Sequence, residues 1–304
     1  MDKESKLAGL VKTGRKKAPI RMVLYGPEGV GKTTFGAGAP RPVFISAEDG
    51  AGQLDIDRIP VTKWSEVLGA LHALIHEPHG YSTVVLDTVD AIERLLVEHV
   101  LDATEAKSLE DVGGGYGKGA TRLGEEWARL IRTHLDPLRT RGVARGGMHV
   151  ILLAHAQLAT VRNPEAADYD QWTMKVAKPS GAVMREWVDA VGFAGWDTEV
   201  MTKEWRNDKK LLGKGKASTG DRFLRTSRAG AWVAKTRWSI PPELPLSWRA
   251  FSDAVLEAWD RSTPATPTAT DPPALAATPA DQPATPTPTP TATDAPAAEG
   301  PVAP

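Results

Sequence analysis

Residues 20–34, Ile-Arg-Met-Val-Leu-Tyr-Gly-Pro-Glu-Gly-Val-Gly-Lys-Thr-Thr, decide the fold. Ile20 to Tyr25 form a short β-rich apolar run that reads as a buried strand. Gly26-Pro27-Glu28-Gly29-Val30-Gly31-Lys32-Thr33 follows at once and satisfies G-x-x-x-x-G-K-[ST] at every position. Its glycines let the backbone wrap a phosphate with successive N–H groups pointing inward. Lys32 is expected to reach the β- and γ-phosphates and the Thr33 hydroxyl to bind Mg²⁺, with Thr34 completing the cradle. A strand immediately before the loop is the context this chemistry needs. The stretch predicts a nucleoside-triphosphate site with ATP and Mg²⁺ as cofactors.

Downstream, strands and helices alternate. Residues 43–46 and 83–87 read as strands, and 148–154 is the most apolar strand of the chain. Between them, 64–75, 91–101 and 123–138 carry helical spacing. Strands that are apolar throughout, separated by helices, argue a mainly parallel sheet covered on both faces, an α/β fold. After residue 171 the pattern changes to short β-like pieces at 172–176, 191–196, 199–205, 223–226 and 231–234, with a short helix near 182–188. Eight of the ten tryptophans lie there. They are read as large aromatics sealing an antiparallel extension of the sheet. Residues 247–260 read as a closing helix, with Ser247 or Ser252 at its cap.

Composition bounds the rest. Cysteine is absent, which excludes disulfides, thiolate metal sites and cysteine nucleophiles. No apolar run reaches eighteen residues, so no membrane helix is expected, and a cytoplasmic setting is the simplest. Residues 1–18 read as a flexible basic arm, 19–261 as the folded domain, and 262–304 as a disordered Pro/Ala/Thr-rich tail holding 12 of the 24 prolines. The formal charge is −1 overall and +3 up to Arg261, too small a bias to argue nucleic-acid binding by itself.

Asp87 ends an apolar strand, where parallel sheets bind ligands, and is expected to hold Mg²⁺ through water. The alternative is a cap for the next helix, since Thr88-Val89-Asp90 also reads as a helix start. Hydrolysis needs an oriented water. Glu48 is the best-placed carboxylate for that task and Asp49 its competitor, either of which also suits a turn before Gly50. His155 and Gln157 follow the strand at 148–154, where either can sense the γ-phosphate.

A phosphate loop, a strand leading to Glu48, a strand ending in Asp87 and a strand ending in a polar sensor together resemble the RecA-like ATPase core. Around VFISAEDG the match is close. The phrases LYGPEGVGKTTFGAGAP, VVLDTVD, YGKG, EEWARL, VILLAHAQ and MREWVDAVGFAG resemble phage-encoded RecA-core nucleotide-binding proteins, a group that includes ATP-linked single-strand-annealing recombinases. The resemblance covers roughly residues 18–256. It implies a DNA-stimulated ATPase acting on single-stranded DNA in recombination, with Glu48 as general base and Gln157 as γ-phosphate sensor. The chain departs from the Asn-Gln of RecA proteins by having His-Ala-Gln, which leaves His155 and Gln157 both open. A helicase-type motor or loader ATPase, and an ATP-controlled assembly protein with negligible turnover, are the alternatives.

The resemblance also places two loops against DNA. The first is 111–121, with Tyr116 to stack on a base and Lys118 to meet a phosphate. The second runs from Gln157 to Ser180, with Arg162, Lys175 and Lys178. Lys235 and Arg237 resemble the fingers that RecA-core assemblies insert into a neighbour's ATP site, which implies a homo-oligomer, a ring or short filament. A solvated basic edge strand is the alternative. Other recombination or replication proteins are possible partners.

Overall fold

The computed structural model describes residues 17–48, 54–141, 147–164, 167–202 and 213–261, together with Leu10. Asp49, most of the basic arm, residues 203–205 and the Pro/Ala/Thr-rich tail lie outside the described residues. In chain order the elements are β1 (Arg21–Gly26), α1 (Lys32–Ala37), β2 (Pro42–Ser46), β3 (Asp57–Pro60), α2 (Trp64–His76), β4 (Thr83–Asp87) and α3 (Val89–Thr104). Then come α4 (Lys118–Leu130), a π-helical turn (Ile131–Leu135), α5 (Asp136–Arg141), β5 (His149–Val161), β6 (Tyr169–Met174) and α6 (Lys178–Trp187). The last elements are β7 (Ala190–Thr202), β8 (Gly213–Arg225), β9 (Lys235–Thr236), β10 (Glu243–Pro245) and α7 (Trp248–Arg261).

Successive residues of a strand point to opposite faces, and the core divides accordingly. Val23, Tyr25, Ile45, Leu86 and Leu152 face α2, α3 and α4 through Leu71, Ile92 and Trp127. Their neighbours Met22, Leu24, Phe44, Val85 and Ile151 face α1 and α7 through Phe35, Trp248 and Phe251. Both faces being covered is why these strands are apolar at every position. The sheet order is β10-β8-β7-β1-β5-β4-β2-β3. From β7 to β3 all pairings are parallel, while β8 runs antiparallel to β7 and β10 antiparallel to β8. This is the expected α/β fold, a mostly parallel sheet flanked by helices, of the phosphate-loop NTPase type. The chain leaves β1 for β2 across two intervening strands, so the loop after β1 opens at a topological switch point, where such sheets bind ligands.

Several boundaries differ from the sequence reading. The strand at 148–154 does not end before His155; it continues to Val161, because β6 offers an antiparallel partner from Ala156 onward. The supposed second DNA loop, 157–180, is therefore mostly the β5–β6 hairpin and the start of α6. The piece at 191–196 and the described part of the next, 199–202, join in one strand, β7, held by the equally long β8. The helix expected at 123–138 starts earlier, at Lys118, and is interrupted by the π turn. Strand β3, too short and polar to signal itself, was not anticipated. Tryptophans do seal the extension: Trp172 and Trp232 stack on Phe193. At α7 the cap is Ser247, whose Oγ accepts from the Ala250 N–H; Ser252 instead donates to the Arg249 carbonyl. No helix among the described residues is long and apolar enough to cross a membrane.

Candidate nucleotide-binding site

Gly26 closes β1 against β7. A Cβ there would lie 2.4 Å from the Ala194 carbonyl oxygen, so only glycine lets the loop leave the sheet at this point. Gly29 and Gly31 have φ of 72° and 103°, the left-handed region that other residues rarely adopt. The first backbone bond into α1 runs from the Phe35 N–H to the Gly31 carbonyl, 3.0 Å. The N–H groups of the preceding residues are then available to an anion.

Lys32 is buried, and its Nζ donates to the carbonyls of Gly26 and Pro27 at 3.0 and 2.9 Å. Burial holds its ammonium below the ordinary lysine value, outweighing the attraction of Asp87 and Asp90. Asp87 ends β4 at the next-but-one strand, and Thr33 Oγ1 donates to its Oδ2 at 2.9 Å. Burial pushes the Asp87 carboxyl up, against the lowering effect of the Thr33 hydrogen bond and of Lys32. Each group is thus strained toward neutrality by an unmet electrostatic need. A phosphate beside Lys32 and a divalent cation beside Asp87 would both relieve it. The donor set suits Mg²⁺, which takes hard oxygen ligands and keeps several waters. Ser46, paired with Asp87 across β2 and β4, adds a buried hydroxyl with no protein partner. Thr33 and Asp87 are the residues that would hold the ion, whose chemistry is to neutralise charge on the phosphates.

The helix-start reading of the next residues also holds: Thr88 Oγ1 accepts from the Ala91 N–H, capping α3. One turn in, the buried Asp90 takes two bonds from His155, from its backbone N–H at 2.9 Å and from Nδ1 at 2.8 Å. A carboxylate is an acceptor only, so Nδ1 carries a proton and the ring orientation is fixed. Glu48 follows β2 and accepts from Arg94 Nη2 at 2.8 Å. Ligand atoms of Glu48, Asp90 and His155 converge within 4.8 Å of one another. Since Asp90 is engaged by His155 and Glu48 by Arg94, this cluster is satisfied by its own ion pairs.

Gln157 is placed differently. Its Nε2 donates to the Met174 carbonyl at 3.3 Å, and its side chain lines a separate groove on the β5–β6 hairpin. Lys175 is exposed and its backbone N–H donates to the His155 carbonyl. Arg162 lies at the hairpin tip and Lys178 opens α6. In the first expected DNA loop, Tyr116 is fully exposed, while Lys118 sits in the first turn of α4 and donates to the Gly113 carbonyl at 2.8 Å. Arg237 pairs with Asp189 at 3.4 Å, at the opposite end of β1 from the phosphate loop, while Lys235 reaches the groove that Gln157 lines.

Three residues escaped the sequence reading of the site: Asp90 in its bond to His155, Arg94, and Arg222 of β8, whose Nη1 donates to the Val30 carbonyl at 3.4 Å. Asp90 had a signal, a carboxylate one turn beyond Asp87. Arg222 had none, because its approach depends on the pairing of β7 with β8.

A phosphate loop at the switch point of a mainly parallel sheet, with a hydroxyl and a carboxylate set for a divalent cation, defines a nucleotide-binding ATPase. The family profile of the AAA domain matches residues 18–238, and the chain belongs to that family. No curated protein matches it.

Proposed function

We propose that the chain is a Mg²⁺-dependent ATPase that acts on single-stranded DNA, in phage recombination or strand annealing within the host cytoplasm, and that it works as a homo-oligomer. One observation carries the reading. A groove of about 730 Å³ runs between the β5–β6 hairpin, α6 and residues 228–235, and Lys178, Arg185, Arg228 and Lys235 line it without any carboxylate. Among the described residues none of these four side chains makes a hydrogen bond or ion pair. Lys235 is held below the ordinary lysine value by burial and by repulsion from Arg237. Cations gathered in a groove whose lining holds no carboxylate suit a phosphodiester backbone. The groove also joins the phosphate site through the chain: β5 carries His155 to the one and Gln157 to the other. Exposed Tyr116 offers a stacking face, and Arg162 and Lys175 lie on the same hairpin region.

The test is fluorescence anisotropy of a labelled oligothymidylate across a salt series, with ATP turnover measured in parallel. Four phosphate contacts on a single strand predict a log–log salt slope of about −3. Charge reversal at Arg185 and Arg228 together is expected to abolish both binding and any DNA stimulation of turnover. Absence of binding by the intact protein at low salt would overturn the reading.

A further inference from the structure

We propose that Arg222 is a phosphate-binding residue of the nucleotide site, supplied by the same chain and directed at the phosphates that ATP and ADP share. This rests on the phosphate loop binding nucleotide, which the intact protein tests separately. In the register of β7 with β8, Trp196 faces Arg222 while Thr198 faces Ala217. Asp197 alone therefore stands against residues 218–221, a bulge on β8 that ends at Arg222. Bulges bend a strand and re-aim the side chain beside them. Here the guanidinium is carried onto the phosphate loop, with Nη1 3.4 Å from the Val30 carbonyl oxygen.

Gly31 makes the room. A Cβ at that residue would come within 2.5 Å of the same Nη1, so the glycine serves both the left-handed backbone and the close approach of the arginine. That single long bond is the one side-chain hydrogen bond Arg222 makes among the described residues, and its guanidinium has no carboxylate partner there. A guanidinium carries five donors in a planar fork that matches phosphate oxygens. Held against a loop built to wrap phosphates, it lacks the acceptor it is suited to.

Which phosphates it meets follows from the sheet order. Asp87 and Glu48 follow β4 and β2, on one side of β1, and mark where the γ-phosphate and its cation are handled. β8 approaches from the other side, beyond β7. Contacts from that side reach the part of the nucleotide that hydrolysis leaves unchanged. Such an interaction is equal in substrate and product, so it strengthens binding without altering the chemical step.

Calorimetric titration of the full chain with ADP and with a non-hydrolysable ATP analogue, both with Mg²⁺, tests this. Arg222→Gln is expected to weaken both by about tenfold or more, the range for a lost charge-assisted bond. The ratio of the two affinities should hold within about twofold, and Arg222→Lys should fall between. Because Arg222 is exposed, the nucleotide-free variants should melt like the intact protein, and Arg222→Lys keeps the test alive if the glutamine variant does not fold. Unchanged affinity in a folded Arg222→Gln overturns the proposal. A loss confined to the ATP analogue overturns it too, by placing the guanidinium on the γ-phosphate. Failure of the intact protein to bind either nucleotide overturns the nucleotide reading and the role of Arg222 with it.

Discussion

Replacing Asp90 by Asn separates the electrostatic from the steric part of the His155 clamp. The carboxylate is buried and receives two hydrogen bonds, at 2.9 and 2.8 Å. Burial pushes its pKa up, yet the net direction is down, because the hydrogen bonds and charge of His155 outweigh burial. The ionised form is therefore favoured by the fold, and removing the charge destabilises rather than relieves. An asparagine oxygen still accepts from the His155 backbone N–H, but its NH₂ now faces Nδ1 and forces the other tautomer. Turning two charge-assisted bonds into neutral ones costs about 2 kcal/mol, which lowers the melting temperature by about 4–8 °C for a domain of this size. Because the folded pKa lies below the unfolded one, this contribution is complete above about pH 4 and is lost as pH falls through the folded value. The gap in melting temperature between Asp90→Asn and the intact protein should hold at neutral pH and close in acid. With the ring misoriented beside Glu48, kcat should fall by about a hundredfold, the lower end for a positioned polar group, with a smaller change in KM. Differential scanning fluorimetry from pH 3 to 8 and steady-state ATP turnover read both effects. A variant that melts within 1 °C of the intact protein and retains its kcat would refute the clamp.

Two further outcomes follow. Saturating ATP at about a hundred times its Kd should stabilise the intact protein by about 2.7 kcal/mol; in Lys32→Ala that thermal shift should vanish, and an undiminished shift would remove Lys32 from the phosphate site. Asp189 accepts from Arg21 N, Nε and Nη2 at 3.1, 3.2 and 2.7 Å, and these bonds hold its carboxyl down against burial. Breaking so buried a pair with Asp189→Asn should cost about 3–5 kcal/mol in urea unfolding at neutral pH, with the difference shrinking as pH falls below the carboxylate range.

What could be read from the sequence was what depends on neighbours along the chain. Gly26 to Thr33 is one contiguous loop, so its glycines and Lys32 announce the site directly. The place of Asp87 was legible because an apolar run ending in a carboxylate puts it at a strand's edge, where β4 ends. The end of β5 was not legible. Past His155 the residues Ala156 to Val161 lose the apolar run, and whether they form loop or strand is decided by β6, a partner distant in the sequence. The fate of Gln157 follows from that pairing, since a residue inside a hairpin is turned by its ladder. Arg222 is the extreme case: its position depends on a bulge in β8, on Gly31 lacking a side chain and on the approach of two segments 192 residues apart.

The proposed link between nucleotide and DNA has a physical route through α3. Asp90 and Glu93 are one turn apart on that helix and both buried. Residues at this spacing share a helix face, so the two carboxylates move as one body. Asp90 holds His155 at the phosphate site, while Glu93 Oε2 accepts from the Ala177 N–H at 2.8 Å, where α6 begins. Burial pushes the Glu93 carboxyl up against the hydrogen bonds it receives, so that anchor is less firmly ionised than Asp90. α6 in turn carries Lys178 and Arg185 into the basic groove. Rotation of α3 that follows a change at His155 would thus be passed to the groove's cations through the bond from the Ala177 N–H to Glu93. Glu93→Gln leaves the phosphate site and all four groove cations in place. On the proposed reading it should preserve basal ATP turnover and DNA binding while lowering the DNA stimulation of turnover severalfold. Full stimulation in a stable Glu93→Gln protein would remove α3 from that link.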